Sequence, residues 1–232
     1  MAGNRISGIP MQERSRRFFD LALAAGALSF GEFTLKSGRV SPYFFDLGRI
    51  RRGREIAELG ILYAETLIEA KLPVSTLFGP AYKGIPLVVA TSIALSRLQE
   101  EPVAYAFNRK EAKDHGEGGR LVGGPLKGPV VIIDDVITAG TAIGESMTLL
   151  ESTPARPVGV IVALDREERG TEGTRPALLE AGIRWGLAVH AIASFSDLIE
   201  YLNHEPRWKT TYESLERYRI RYGTRPEESP PV

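Results

Sequence analysis

Residues 130–142 read Val-Val-Ile-Ile-Asp-Asp-Val-Ile-Thr-Ala-Gly-Thr-Ala. Four apolar residues without alternation are typical of a strand that is buried on both faces, so residues 130–133 predict an inner strand of a sheet. Asp134 and Asp135 are poor residues for the interior of a strand and mark its end. Small residues follow at 138–141, and the segment 142–150 predicts a helix.

This stretch places two carboxylates and the first amides of a helix at the end of one strand. The first N–H groups of a helix have no partners within it, and the helix dipole adds partial positive charge there, so the turn favours a bound phosphate. A ligand that carries both a sugar diol and a phosphate would suit such a site. The alternative is a strand–helix turn in which Asp and Thr only cap the helix, although one Asp would be enough for that.

The composition excludes several classes of protein. The chain has 232 residues with 43% hydrophobic side chains, enough for one substantial domain. Lys+Arg and Asp+Glu both number 29, so the basic excess of a dedicated nucleic-acid binder is missing. The absence of cysteine excludes disulfides, thiolate catalysis and Cys–zinc sites, and it fits a cytoplasmic enzyme. The three histidines, at 115, 190 and 204, lack metal-ligand spacing.

Two apolar segments imitate targeting signals. Residues 15–28 loosely resemble a twin-arginine or secretory signal, but Asp20 interrupts the apolar part and the spacing suits an amphipathic helix. The run at 85–95 includes Pro86 and is too short to span a membrane. We therefore expect neither a signal peptide nor a membrane partner.

Predicted strands and helices alternate along most of the chain, which indicates an α/β fold with a mainly parallel central sheet flanked by helices. The loops after the parallel strands should lie along one edge of that sheet. We expect one domain, 1–232, with an N-terminal subregion at about 10–50, a core at about 53–222 and a flexible tail at 223–232. Within the N-terminal subregion, residues 36–39 predict a hairpin turn. Strands are predicted at 74–78, 102–107, 129–134, 157–164 and 186–192, and helices at 10–28, 53–71, 84–98, 141–152, 174–182, 195–203 and 209–221.

A second turn should end at the same edge of the sheet. Residues 78–84 read Phe-Gly-Pro-Ala-Tyr-Lys-Gly after an apolar strand. Lys83 would then point toward whatever the acidic pair holds. The alternative is a tight turn with a solvated lysine.

Residues 108–120 are too polar for a core and too rich in glycine for a stable helix. With residues 121–128 they predict an irregular connection of about twenty residues, a length typical of functional lids. If this segment is extended, Arg109, Lys113 and His115 share one face and Lys110 lies on the other. A solvated surface loop is the alternative.

Asp165 and Arg166 close the strand predicted at 157–164. A guanidinium at that edge could form a fork on a carboxylate. Alone this is a weak signal, because arginines often end strands.

The stretch at 134–142 resembles the phosphoribosyl-pyrophosphate (PRPP) motif of the type I phosphoribosyltransferases. Residues 107–119 are similar to the most specific segment of the orotate phosphoribosyltransferase family within them. Residues 78–84, Lys36-Ser37-Gly38 and residues 41–45 support that resemblance. It implies the type I fold, in which the N-terminal subregion at about 10–50 forms a small hood. It also implies transfer of a phosphoribosyl group from PRPP to orotate in pyrimidine (UMP) biosynthesis.

The resemblance also implies roles for individual residues. Catalysis is expected from Lys113, His115 and Asp135, and orotate binding from Phe44, Phe45, Thr138 and Arg166. PRPP binding is expected from Lys36, Tyr82, Lys83, Arg109, Lys110, Lys113, His115, Asp134, Asp135, Val136, Ile137, Thr138, Ala139, Gly140, Thr141 and Ala142.

The same resemblance implies a homodimer with shared active sites. Lys110 serves its own subunit, while Arg109, Lys113 and His115 reach the site of the partner. Magnesium is the expected cofactor, held mainly by PRPP oxygens and water without a direct protein ligand. No nucleic-acid partner is expected.

Two other functions remain as alternatives. A phosphoribosyltransferase for a purine would keep the PRPP motif, but a purine brings no carboxylate for Arg166. A PRPP-sensing regulator could keep the phosphate loop and lose turnover, although the intact segment at 109–115 argues against it.

Overall fold

Hydrogen-bonded strands and packed helices occupy most of the chain in a computed structural model, which describes residues 11–35, 38–99, 102–113, 119–137, 140–169, 175–203 and 206–224. The helices are α1 (Met11–Ala24), α2 (Gly53–Glu69), α3 (Gly84–Leu98), α4 (Thr141–Glu151), α5 (Ala177–Trp185), α6 (Phe195–Asn203) and α7 (Lys209–Tyr222). The strands are β1 (Leu28–Thr34), β2 (Val40–Phe45), β3 (Thr76–Gly79), β4 (Ala104–Lys113), β5 (Gly119–Gly123), β6 (Gly128–Asp134), β7 (Ala155–Asp165) and β8 (Ala188–Ser194).

The central sheet has six strands in the order β5-β4-β3-β6-β7-β8. All neighbouring pairs are parallel except β4 and β5. The carboxyl ends of β3, β6 and β7 therefore meet at one edge, as the alternation of elements predicted. The predicted α/β fold with a mainly parallel sheet is confirmed.

The surroundings of strand β6 explain why its sequence does not alternate between apolar and polar residues. Val131 and Ile133 belong to a core cluster that includes side chains of α1, α2, α3 and α6. Val130 and Ile132 belong to a second cluster, with side chains of α4 and α5. Because helices cover both faces of the sheet, residues 130–134 of the strand are all buried.

The hood contains the predicted hairpin. Strands β1 and β2 pair antiparallel, and Gly38, at φ 78°, donates its N–H to the Leu35 carbonyl oxygen at 2.9 Å. Lys36 and Ser37 lie outside the described residues. Helix α1 ends at Ala24, earlier than the predicted 28, because Gly26 takes a left-handed conformation at φ 68° and β1 begins two residues later.

The prediction of an irregular connection at 108–128 is wrong for residues 108–113 and 119–123, and correct for residues 124–127. Strand β4 continues to Lys113, and β5 runs back antiparallel beside it. Pairing along the edge of the sheet overrides the weak strand propensity of this polar, glycine-rich sequence. Residues 114–118 lie outside the described part of the chain.

The C-terminal segment stays hydrogen-bonded beyond α7. Thr224 donates its N–H to the Glu167 carbonyl oxygen at 2.9 Å, and Gly223 pairs antiparallel with Glu168. The pairing thus includes the first two residues of the predicted tail. Within the described ranges, no helix combines the length and apolar character needed to cross a membrane.

Candidate active site

The end of β6 is a tight turn that fixes two carboxylates. Asp134 is buried, and its Oδ1 accepts the Asp135 N–H at 2.9 Å. The Oδ1 of Asp135 accepts the Val136 N–H at 2.8 Å. From α2, the Tyr63 hydroxyl donates to the Asp134 carbonyl oxygen at 2.7 Å. Aspartate side chains that bond the following backbone stabilise such turns, so both carboxylates are oriented before any ligand arrives.

Burial and the neighbouring charge of Asp135 raise the pKa of Asp134 to about 7. Two acids side by side at a strand end resist full ionisation, because each carboxylate repels the other. A cation or a hydroxyl group beside them would relieve this repulsion.

Lys83 supplies the nearest cation. Its Nζ lies 2.7 Å from Oδ2 of Asp135 and 3.8 Å from Oδ1 of Asp46. Burial lowers the pKa of Lys83, but the hydrogen bond to Asp135 and the negative charges of Asp135, Asp46 and Asp134 together outweigh it, so the net shift is upward and the ammonium stays charged. The predicted proximity of Lys83 to the acidic pair is confirmed.

The turn between β3 and α3 depends on two glycines. A Cβ on Gly79 would collide with the carbonyl group of Gly84, which only glycine avoids. The Ala81 N–H is held by the Oδ1 of Asn108 at 2.8 Å, and the peptide bond between Ala81 and Tyr82 is cis. This turn lies beside the second half of β4, where the Nζ of Lys110 lies 5.5 Å from the centroid of the Tyr82 ring.

Helix α4 begins at the same edge of the sheet. Gly140 precedes it with φ 69° and accepts the Gly144 N–H at 2.9 Å. The amides of Thr141 and Ala142 fall in the first turn, where helical N–H groups lack intrahelical partners. Ile137 is buried in the core, so it can contribute only its backbone to a ligand.

Arg166, just after β7, lies in an aromatic and acidic environment. Its Nε and Nη2 both donate to Oε1 of Glu168, at 2.9 and 2.6 Å. Its guanidinium carbon lies 4.7 Å from the centroid of the fully buried Tyr43 ring. Burial lowers the pKa of Arg166, but Tyr43 and Glu168 together outweigh it and raise the pKa overall, so this cation stays charged.

The two predicted hood phenylalanines face opposite ways. Phe44 is 37% exposed and packs against Phe33, with ring centroids 5.4 Å apart. Phe45 turns inward, with its ring centroid 5.9 Å from that of Phe18. Of these two phenylalanines, Phe44 is the one that is substantially exposed.

The remaining predicted residues divide between described and undescribed positions. Arg109 is half-buried and Lys110 exposed, at neighbouring positions of β4. The side chain of Lys113 lies outside the described part of the structure, and so do Lys36, His115, Thr138 and Ala139. In the described ranges, no group of three or more His, Asp or Glu side chains is placed to hold a metal ion.

Sequence reasoning missed Tyr43, Asp46 and Glu168. Each joins the site through tertiary contacts with residues more than thirty positions away, or, for Glu168, through a fold-back onto Arg166. Only Glu168 carried a local signal, since it is a carboxylate two residues after a predicted anion-binding arginine.

Comparisons with known proteins agree with this geometry. The family model described as phosphoribosyl transferase domain matches residues 48–175, more than half of the chain. The orotate phosphoribosyltransferase of Methylococcus capsulatus is 53% identical over 214 residues, which cover 92% of this chain and all of the relative. That of Pseudomonas putida is 50% identical over 213 residues, with the same coverage. The crystal structure of orotate phosphoribosyltransferase from Francisella tularensis superposes with a TM-score of 0.80 at 38% identity, covering 89% of this chain and 99% of that one.

The parallel sheet, the acidic pair and the helix behind it define the class of the protein as a phosphoribosyltransferase. Within that class, the chain belongs to the orotate phosphoribosyltransferase family.

Proposed function

We propose that this chain transfers the 5-phosphoribosyl group of PRPP to orotate, giving orotidine 5′-monophosphate and pyrophosphate for pyrimidine synthesis. One observation carries the proposal: a turn with two carboxylates follows β6, and a buried cation among aromatic rings follows β7, the neighbouring strand of the same sheet. The first suits ribose 5-phosphate, and the second suits a planar base that bears a carboxylate.

The first of these regions is the phosphate end, which we define as Asp134, Asp135, Lys83 and the start of α4. Asp134 and Asp135 would accept hydrogen bonds from the ribose hydroxyls, and the backbone amides of residues 136–142 would surround the 5′-phosphate. Lys36, Tyr82 and Lys83 would contact PRPP from the hood and from the turn after β3. Because Lys83 is 56% exposed, its ammonium can move from Asp135 to a phosphate oxygen without crossing packed core.

The second region is the carboxylate end, which we define as Tyr43, Arg166 and Glu168. Arg166 would bind the carboxylate of orotate, with Phe44 and Thr138 beside the ring and Phe45 supporting the hood. Arginine suits this role because its planar fork matches a carboxylate. A purine has no group that would use this charge.

Catalysis would depend on charge stabilisation more than on a strong nucleophile. The C1 carbon of the ribose develops oxocarbenium character as pyrophosphate leaves, so the enzyme must neutralise the departing charge. Lys113 and His115, with Arg109, would bring positive charge to the pyrophosphate from a partner subunit, while Lys110 serves its own subunit. Closing this segment over the site would also exclude water, which would otherwise hydrolyse PRPP.

Magnesium fits this site as a metal that arrives with the substrate. The two aspartates offer hard oxygen donors, but Lys83 already neutralises Asp135, and the described residues bring no third acid to them. PRPP oxygens and water would therefore hold most of the metal, with Asp134 and Asp135 as the nearest protein carboxylates. When bound, the ion would stabilise negative charge on the pyrophosphate.

The oligomeric state and the cellular location belong to the same proposal. A homodimer is required if the charges of residues 109–115 reach a partner's site. We propose a cytoplasmic enzyme whose ligands are PRPP and orotate, without a nucleic-acid or membrane partner.

The deciding experiment follows the loss of orotate absorbance with purified protein. We expect loss that requires both PRPP and magnesium, and no comparable turnover of uracil or adenine. Turnover of adenine instead of orotate would overturn the proposed substrate. PRPP binding without turnover of any base would favour a PRPP-sensing regulator.

A further inference from the structure

Glu168 is the one carboxylate within hydrogen-bonding distance of Arg166 among the described residues. A single oxygen, Oε1, accepts from both Nε and Nη2 of Arg166, and the side chains are only 13% and 12% exposed. A guanidinium has five N–H groups, so this contact uses two on one edge and leaves three for other partners. Those three include the Nη1 and Nη2 hydrogens of the outer edge, which can bind a second carboxylate with two parallel bonds.

The other oxygen of Glu168 joins the hood to the core. Oε2 lies 3.3 Å from Nη1 of Arg39, which follows the hairpin turn of the hood. The Tyr43 hydroxyl lies 3.4 Å from Oε1. Glu168 thus contacts both the arginine of the core and two residues of the hood.

The backbone around Glu168 is restrained on both sides. Glu167 has φ 50°, and its side chain accepts the Ser196 N–H at 2.9 Å, at the start of α6. Arg169 donates its N–H to the Tyr222 carbonyl oxygen at 3.2 Å, and Glu168 pairs with Gly223. A carboxylate carried by such a restrained segment can fix the plane of a guanidinium.

We propose that Glu168 is the positioning residue of the orotate-binding arginine: it holds one edge of the Arg166 guanidinium so that the opposite edge stays oriented for the substrate's carboxylate. This proposal rests on the proposed function, because it assigns Arg166 to orotate. Glu168 does not touch the reacting atoms, so its loss should weaken orotate recognition more than PRPP recognition.

The test measures KM for orotate, KM for PRPP and kcat in Glu168→Ala, Glu168→Gln and Glu168→Asp. Glu168→Ala removes two hydrogen bonds to a charged group. It should therefore raise KM for orotate at least about tenfold, with KM for PRPP changed less than about threefold. Glu168→Gln keeps an acceptor oxygen and should have a smaller effect. Glu168→Asp keeps the charge and should recover part of the loss.

Two controls separate positioning from general loosening of the hood. Arg39→Gln breaks the ion pair of Glu168 with the hood and leaves its contact with Arg166, so it should raise KM for orotate much less than Glu168→Ala does. Glu13→Gln breaks an exposed Glu–Arg pair on α1 and should change neither constant. If Arg39→Gln reproduces the full effect of Glu168→Ala, the carboxylate acts through the hood and the proposal is wrong.

A double-mutant cycle with Arg166→Ala gives the decisive outcome. If Glu168 acts through Arg166, then Glu168→Gln should add little to the loss already caused by Arg166→Ala. Full additivity would overturn the proposal, and so would an unchanged or lowered KM for orotate in every Glu168 variant. A wild-type protein that does not use orotate would instead contradict the proposed function.

Discussion

At the phosphate end, the Lys83 side chain is 56% exposed and its partner Asp135 13%, whereas at the carboxylate end Arg166 and Glu168 are 12% and 13% exposed. The first pair can exchange partners, because a partly solvated ion pair contributes little net free energy, about 0–1 kcal/mol. The second pair is enclosed by tyrosine rings and cannot separate without leaving a buried charge. The ion pair at the phosphate end can therefore exchange partners when a ligand binds, whereas the ion pair at the carboxylate end stays in place.

The largest expected effect tests whether the two ends act separately. Asp135→Asn removes the charge that holds Lys83 and would bind ribose, so kcat/KM for PRPP should fall at least about a hundredfold, or ~2.7 kcal/mol of barrier. Steady-state kinetics with each substrate varied should show the KM for orotate nearly unchanged.

The matched control for that variant is Asp46→Asn. Asp46 lies 3.8 Å from the same ammonium, and it also caps a short helix by accepting the Gly48 N–H. Its loss should reduce kcat/KM for PRPP far less than the loss of Asp135. Equal effects of Asp135→Asn on both Michaelis constants would contradict the separation of the two ends.

The next-largest effect is expected at Lys113, whose positive charge belongs to neither the phosphate end nor the carboxylate end. Lys113→Ala should lower kcat at least about tenfold, ~1.4 kcal/mol, because the leaving pyrophosphate loses a neutralising ammonium. The control is Lys127→Ala, an exposed lysine just before β6 and so at the opposite edge of the sheet, which should leave kcat unchanged. An unaltered kcat in folded Lys113→Ala would remove this lysine from catalysis.

Shared sites add a complementation test. Mixing Lys113→Ala with Asp135→Asn subunits should restore some activity, because one site of each hybrid dimer receives both intact residues. No recovery, despite subunit exchange demonstrated with differently tagged chains, would count against sharing.

The same contrast between the two ends explains what the sequence could predict. The phosphate end is nearly contiguous: a buried strand, two acids and a small-residue turn follow one another, so the sequence of residues 130–142 predicts most of it. The run at 130–133 also predicts the inner strand correctly, since helices on both faces require every position to be apolar.

The carboxylate end could not be predicted in the same way. Tyr43 and Arg166 are 123 positions apart in the chain and meet only because the hood folds over the end of β7. No local pattern predicts that meeting. The strand character of residues 108–113 was missed for a similar reason, because it depends on pairing with β5 and not on the propensity of polar residues.

The pH dependence of the free energy of unfolding tests the raised pKa of Asp134. Because the folded protein raises the pKa of Asp134 to about 7, the unfolded chain loses this proton first, and stability falls as the pH rises toward 7. Asp134→Asn removes this titration. The melting temperature of the variant relative to wild type should therefore increase from pH 4 to 7 and level off above it, by the equivalent of about 1.4 kcal/mol or more.

That measurement is made without PRPP or magnesium, since either would stabilise the ionised carboxylate. A difference between variant and wild type that stays constant with pH would show that Asp134 ionises normally in the folded protein.

The smallest expected effect separates backbone shape from charge at the phosphate end. Gly140 has φ 69° before α4, and a Cβ there would lie 3.2 Å from the Trp185 ring. Gly186 has nearly the same φ, 65°, after α5, and a Cβ at that position would meet no atom of the described residues within 4 Å. An alanine at either position incurs a similar conformational penalty, roughly 1–2 kcal/mol, so both variants should lose stability in denaturant unfolding, and Gly140→Ala at least as much because its Cβ also crowds Trp185. Only Gly140→Ala should also raise KM for PRPP, by about threefold to tenfold, because it moves the amides that would surround the phosphate. If Gly186→Ala raises KM for PRPP equally, global destabilisation accounts for the effect and the turn before α4 has no special part in binding the phosphate.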